Sequence, residues 1–344
     1  MKVTKESRVP LFGLDFIGII DRGTNLIEIK PTTVCNLECG YCYANSGHYT
    51  NNFQIEPNYL IGELEHALSV KEEDDNEVHI DPYGEAMLHP NINSIIASIA
   101  QMDKVRKISM QTNGTLLSEK NLEDLHNAGL NQLNITLNAI GESLAKKLAC
   151  KDHYEPKFVM KAIIKALHLG FDVVITPVWF FKVNDSEIEK IIEFYASLKK
   201  KLENPEQLQL GIQNYLEYKT GRRIKKTRER EFSYFYKRLR DLEKKHGEKL
   251  LMGPSDFSIH PAPIYQSRIL EYLFTADNDS RQKIEIEILS QGRFENEFIG
   301  AIDGWGVKVL NFTGLPIDIA QTNVVTVPLS RTKIKSTMIT AYLK

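Results

Sequence analysis

From about residue 24 to 215, short runs rich in β-branched residues alternate with longer stretches whose apolar positions recur at helical spacing. That alternation predicts a βα array on a parallel sheet. Six strands are predicted: "NLIEIKP" (25–31), "EVHIDPY" (77–83), "KISMQTN" (107–113), "QLNITLN" (132–138), "DVVITPVWF" (172–180) and "LQLGIQNY" (208–215). Helices are predicted over 57–70, 91–102, 118–128, 156–169 and 186–202, the third with Ser118 as cap and Gly129 as stop. Six such units in series suggest a doubly wound sheet or an open barrel, and in both the chemistry gathers at the C-terminal strand ends.

The alternation then gives way to a basic segment. Residues 219–249 hold thirteen Lys or Arg against five Asp or Glu, interleaved with Phe232, Tyr234, Phe235 and Tyr236. Such a run is either a solvated helix with its aromatic stripe toward the core or a surface for a polyanion. "MGPSDFSIHPAPIY" has three prolines and reads as ordered loop. From about 284 to 344, short strands separated by Gly or Pro predict a small β-barrel, its charges balanced at six basic and six acidic. The chain therefore divides into an N-terminal extension (1–24), the βα core (25–215), a basic helical and loop extension (216–283) and a small all-β unit (284–344).

Composition sharpens this only slightly. With 344 residues, 42% of them hydrophobic, the chain can bury a large core, and a net charge of -2 gives no global pull toward nucleic acid or membrane. It has no run of 18 apolar residues and no secretory pattern, and Asp15 interrupts the apolar run at 11–20. A cytoplasmic location follows as an expectation, and there clustered cysteines favour a metal over disulfides.

Three of the four cysteines stand within eight positions: Cys35, Cys39 and Cys42, spaced C-x3-C-x2-C just after the first strand. Three thiolates can hold three irons of a 4Fe-4S cluster and leave the fourth open to a ligand from solution. A zinc site that recruits His48, or cysteines packed as small hydrophobes, remain as alternatives on spacing alone.

"CNLECGYC", with Tyr41 just before the last cysteine, resembles the signature of the radical S-adenosylmethionine superfamily. The resemblance covers roughly 25–215 and implies a partial (β/α)6 TIM-like barrel with the cluster loop after the first strand. It also implies a 4Fe-4S cluster and S-adenosylmethionine as cofactors, an external electron donor, and Cys35, Cys39 and Cys42 as the iron ligands. "DPYGEAMLHP" resembles the family's Gly-Gly-Glu-Pro element at Gly84 and Glu85 but lacks its first glycine and its proline, and implies that Glu85 holds the methionine ammonium. "MQTNGTLL" and "LNITLNAI" resemble segments that bind the methionine carboxylate and ribose, making Thr112, Asn113, Thr136 and Asn138 candidates. The adenine contact in "ITPVWFF" stays unassigned. Residues 208–260 resemble an uncharacterised archaeal-type group of the superfamily, and the tail is similar to a TRAM-like RNA-binding barrel, although "AIDGWGVKV" poorly matches its glycine-rich middle.

The resemblance offers Cys150 as a methyl carrier, as in some methyltransferases of the superfamily, against a small residue near a helix end, and without further thiols no cysteine-ligated auxiliary cluster can be built. His79, His89 and His126 have the chemistry of acids or bases, but lone histidines are more often satisfied structural residues. The first expectation is an enzyme modifying RNA, specifically tRNA, gripped by 219–249 and the C-terminal unit. The alternatives are a small-molecule, lipid or cofactor biosynthetic enzyme, and a non-enzymatic metal module that binds RNA.

Overall fold

The computed structural model describes every residue except 266–270, 274–281, 316, 318, 320–323 and 344. Parts of the basic helical and loop extension and of the predicted C-terminal β unit thus lie outside the described residues. The central sheet is seven-stranded. Its members are β1 (Gly18–Asp21), β2 (Leu26–Lys30), β3 (Asn76–Ile80), β4 (Val105–Thr112), β5 (Gln132–Ile135), β6 (Asp172–Ile175) and β7 (Leu208–Leu210). The order is β7-β6-β5-β4-β3-β2-β1. The six strands from β2 to β7 are mutually parallel, and β1, from the segment read as an N-terminal extension, adds an antiparallel edge on β2.

Helices α1 (Pro57–Val70), α2 (Ile92–Ile99), α3 (Glu119–Asn127), α4 (Glu142–Ala149), α5 (Pro156–His168) and α6 (Asp185–Lys199) punctuate the strands. Pro57 opens the first turn of α1, where its missing N–H costs nothing, and the Glu56 carboxylate accepts from the Tyr59 N–H at 2.9 Å. The predicted fifth and sixth strands are each broken. After Pro177, which cannot donate to a ladder, Val178–Trp179 pairs separately with Gln213–Asn214.

Strand alternation gives the sheet two unlike faces. Ile27, Ile29, Val78, Ile80, Ile108, Met110, Leu133, Ile135, Val173 and Ile175 are buried in the hydrophobic core. The opposite face presents Glu77, His79, Gln111, Gln132, Asn134 and, past the strand end, Thr136 to a cavity. Closed (β/α)8 barrels fill this space with layers of Val, Ile and Leu. Here it is polar and open.

The basic segment forms a loop and then α7 (Phe232–His246), whose Phe235, Leu239 and Leu242 are buried. Downstream, "DFSIHP" closes on β2: the Asn25 N–H donates to the His260 carbonyl at 3.0 Å, and the Asn25 side chain donates to the Ser258 carbonyl at 3.0 Å.

The tail contains β8 (Lys283–Gln291), β9 (Glu297–Ile302), β10 (Trp305–Asn311), β11 (Val324–Pro328), β12 (Thr332–Lys335) and β13 (Met338–Leu343). Among the described residues the expected barrel is a six-stranded sheet of order β11-β8-β9-β10-β13-β12, whose pairing has two ends. Strands β12 and β13 fold back on each other as a hairpin, with Ser336 at φ 55 in the turn. This unit packs on the N-terminal segment: Phe12 and Gly13 carbonyls accept from the Gly306 and Ile339 N–H groups at 2.6 and 2.7 Å.

Candidate functional site

The segment between β2 and Gln54 has little regular structure, so its shape comes from turns and from side chains that reach it from elsewhere. Within it the N–H of Cys42 donates to the Cys39 carbonyl (3.1 Å) and that of Asn45 to the Cys42 carbonyl (3.2 Å). The Ser46 N–H points at the Cys42 sulfur at 3.3 Å. From the side, Gly40 and Glu38 donate their N–H groups to the Leu148 and Ala149 carbonyls at the end of α4. A helix not foreseen in the sequence thus carries part of the loop.

The strongest brace comes from the basic segment. Arg222 donates from Nε to the Cys39 carbonyl at 2.7 Å and from Nη1 to the Asn45 side chain at 3.0 Å and the Ser46 carbonyl at 2.8 Å. Its backbone N–H bonds the Cys42 carbonyl at 2.9 Å. The preceding Gly221 allows this approach, because a Cβ there would stand 2.9 Å from the Tyr43 Cα.

Cys35, Cys39 and Cys42 line one side of a cavity of about 700 Å³ that continues down the polar face of the sheet. Burial pushes the Cys35 thiol up to about 11 and Cys39 up to about 12. At Cys35 and Cys39 burial thus disfavours the thiolate unless a cation lies beside it. No group of three or more His, Cys, Asp or Glu among the described residues is gathered to hold a single metal ion. Three thiols on one loop are the donor set that a 4Fe-4S cluster takes, each on a different iron. His48, the zinc alternative's fourth ligand, is exposed and 3.9 Å from the Glu38 carboxylate. The donor set therefore fits a cluster.

The other expected residues gather around the same cavity. Gly84 passes directly under the loop: a Cβ there would lie 2.1 Å from the Val34 carbonyl oxygen, a distance only glycine permits. Glu85 is buried, and its carboxylate accepts from Thr112 Oγ1 (2.7 Å), the Asn113 N–H (2.8 Å) and the Met87 N–H (3.2 Å). Burial raises its pKa in spite of those donors. Asn113 also bonds Asn36, Thr136 Oγ1 accepts from Gln111 at 3.0 Å, and Asn138 donates to the Tyr41 hydroxyl and accepts from the Val178 N–H at 2.7 Å. Each candidate is thus tied into the wall by the strand-end network that orients it.

The three histidines separate sharply. His89 is buried and bonds the Ile55 carbonyl at 2.9 Å, and His126 packs edge-on against Phe171. His79 alone of the three lines the cavity. Cys150 is exposed in a left-handed C-cap at the end of α4 and does not line the cavity. The sequence reading missed Arg222 as a brace, the floor made by Met252, Phe257 and Ile259, and the wall residues Gln213 and Tyr215. The Gly221-Arg222 pair inside a charge run was the available signal.

The segment expected to grip RNA is partly engaged within the protein. Besides Arg222, Arg223 pairs with Glu217, Lys245 with Glu189 and Lys249 with Asp256, while Arg230 and Arg238 lie over the Tyr234 and Trp179 rings. Among the described residues no helix is long and apolar enough to cross a membrane.

Residues 29–195 match the family model of the Radical SAM superfamily. An uncharacterized protein of Methanocaldococcus jannaschii is 29% identical over 90% of this chain and 75% of its own. GTP 3',8-cyclase of Campylobacter jejuni subsp. doylei is 33% identical over 52% of this chain and 54% of its own, so the chain spans about half the length of that relative. Among solved structures, Streptococcus suis SuiB bound to S-adenosylmethionine shares the fold with a TM-score of 0.51 at 18% identity, over 72% of this chain and 52% of SuiB.

Proposed function

The chain carries a Radical SAM superfamily domain, and on that premise we propose an enzyme that modifies a small polar molecule inside the half-barrel, in the reducing cytoplasm and with an external electron donor. Cys35, Cys39 and Cys42 would hold a 4Fe-4S cluster, and Gly84, Glu85, Thr112, Asn113, Thr136, Asn138 and Tyr41 would surround S-adenosylmethionine beside it. When bound, these cofactors supply a 5'-deoxyadenosyl radical that takes a hydrogen atom from the substrate. The protein's own part is to position both partners and keep water away from them. Arg222 holds the cysteine loop through four hydrogen bonds.

One observation carries the substrate class: the cavity of about 700 Å³ runs past the cysteines along a sheet face that presents Glu77, His79, Gln111, Gln132 and Asn134, with Met252, Phe257 and Ile259 also lining it. Its size suits small ligands. GTP, named in the Campylobacter relative, would bring a triphosphate, and Arg222 is the one Lys or Arg among the described lining residues. A second reading, RNA modification, draws on the exposed Tyr43 and Tyr218 at the mouth, 5.6 Å apart, and on exposed Tyr234 and Tyr236 in the basic segment. Such rings are stacking platforms for single strands.

The deciding experiment reconstitutes iron and sulfide anaerobically, reduces with dithionite, adds S-adenosylmethionine and quantifies 5'-deoxyadenosine. A low-mass metabolite fraction should raise turnover, total tRNA should not, and Cys39→Ala should be silent. Stimulation by tRNA alone, lost steeply with salt, would establish the RNA reading instead.

A further inference from the structure

Below the cysteine loop the inner wall holds a proton-ordered chain. Glu77 and His79 alternate along β3 toward the cavity, and His79 stands in register with Ser109 on β4. Ser109 is fully buried and donates its hydroxyl to the Glu77 carboxylate. With that proton committed, Ser109 Oγ can only accept from its second neighbour, His79 Nδ1, at 2.7 Å. With a single ring hydrogen, this arrangement puts it on Nδ1. Nε2 is left as a lone pair with no protein partner among the described residues.

The surroundings have the same bias. Gln111 directs its amide N–H groups to Thr136 (3.0 Å) and Thr176 (3.3 Å), leaving its carbonyl oxygen for a ligand. Asp81 takes Lys30 Nζ on one oxygen at 3.1 Å and lines the cavity. The charged groups around His79 are Glu77 on its own strand, Asp81 just past its end, Lys30 and Glu28 from β2, paired at 3.4 Å with Arg22 bonding Glu28 in turn, and Lys107 from β4, opposite Glu77 and bonded to the Gln132 side chain at 2.6 Å. Below, Phe257 and Ile259 contribute no charge.

We propose that His79 Nε2 is a substrate-binding acceptor, and that this lower subsite takes a small, non-anionic molecule by one of its hydroxyl or amine donors. The inference rests on the small-molecule reading above and narrows it: a phosphate or carboxylate here would meet acceptors and two carboxylates. Replacement by amides separates the ring's two ends. His79→Gln keeps an acceptor near the position of Nε2, whereas His79→Asn reproduces only the Nδ1 side.

The test splits the low-mass metabolite fraction by anion exchange into a flow-through pool of neutral and cationic molecules and a bound anionic pool. With reconstituted protein, S-adenosylmethionine and no reductant, diethylpyrocarbonate should acylate His79, read by peptide mass spectrometry, and the flow-through pool should protect it. Under turnover, His79→Asn should raise the half-saturating amount of that pool about tenfold with little change at saturation, the loss of one hydrogen bond, and His79→Gln should restore it. Iron content and melting temperature of both variants confirm folding. Protection by the anionic pool alone overturns the proposed class. If the flow-through pool stimulates deoxyadenosine formation without protecting His79, the subsite falls while the small-molecule reading stands. If only RNA stimulates, that reading falls with it.

Discussion

The cysteine loop and helix α3 are opposite solutions to holding a short segment in place. Helix α3 is specified by its own neighbours: Ser118 caps it through the Asn121 N–H at 3.2 Å, Leu122 and Leu125 bury one face, and Gly129 ends it at φ 98. The loop is held from far along the chain. Arg222 reaches Cys39 across 183 positions, Lys151 pairs with Glu38, and the Arg293 carbonyl in the C-terminal sheet accepts the Thr50 N–H at 2.8 Å. Segments that carry chemistry cannot use all their polar groups on themselves. The stability of the loop is therefore exported to remote side chains, and substitutions there should be felt more strongly than substitutions within α3.

The largest effect should come from Arg293. It forks the Glu297 carboxylate at 2.8 and 2.6 Å, both side chains nearly inaccessible, and lies 4.3 Å from the Phe16 ring and 5.3 Å from that of Tyr83, next to Gly84. Arg293→Met leaves a buried carboxylate alone and should cost about 3–5 kcal/mol in urea denaturation. The double variant Arg293→Met, Glu297→Leu should recover most of it. Recovery would show that the pair supports the loop by packing and not by charge. Next comes Arg222→Ala, which removes a forked cation from three acceptors and should cost about 3 kcal/mol while lowering iron bound per chain after reconstitution. Arg222→Lys should rescue little, since one ammonium cannot span Cys39, Asn45 and Ser46 together. An unaltered iron content in Arg222→Ala would break the comparison.

A pH experiment probes the wall beneath the loop. Burial works to raise the Asp81 carboxyl, but the charge and hydrogen bond of Lys30, with Arg22 beyond it, outweigh burial and hold the pKa below the ordinary value. A depressed folded pKa contributes stability above the unfolded value near 3.8, lost only as pH falls through the folded value. Lys30→Met removes the main opposing charge and reverses the sign. Asp81 then has a raised pKa, and its contribution is lost as pH rises. The variant should trail the natural protein by about 2 kcal/mol at pH 7, with the gap closing toward pH 4. A gap independent of pH would mean that Lys30 acts only through packing.

The same division explains what the sequence disclosed. Cys35, Cys39 and Cys42 were legible because their spacing is itself the signal, and α1 was legible to its ends because Pro57 and the apolar period are local. The lone pair on His79 was not, since it depends on the β3 and β4 register that puts Ser109 beside it. Arg222 was hidden by its company: among thirteen basic residues nothing local distinguishes the one that bonds backbone carbonyls. Strand ends also moved, because Pro177 and Gly211 interrupt runs whose β-branched content continues past them.

The smallest effect belongs to the segment most fully written in its own sequence. Ser118→Ala deletes the acceptor for the Asn121 N–H and should cost about 1 kcal/mol, since the orphaned donor lies at an exposed helix end where water replaces the cap. Iron bound per chain should not change. The turn at Gly114 that leads toward α3 bonds Thr112 Oγ1 through its N–H at 3.1 Å, while Thr112 and Asn113 are fixed by Glu85. A thermal melt alongside an iron assay reads both quantities. A fall in iron with Ser118→Ala as large as that with Arg222→Ala would mean that the loop and the helical layer form one cooperative unit, and the distinction between local and exported support would not hold.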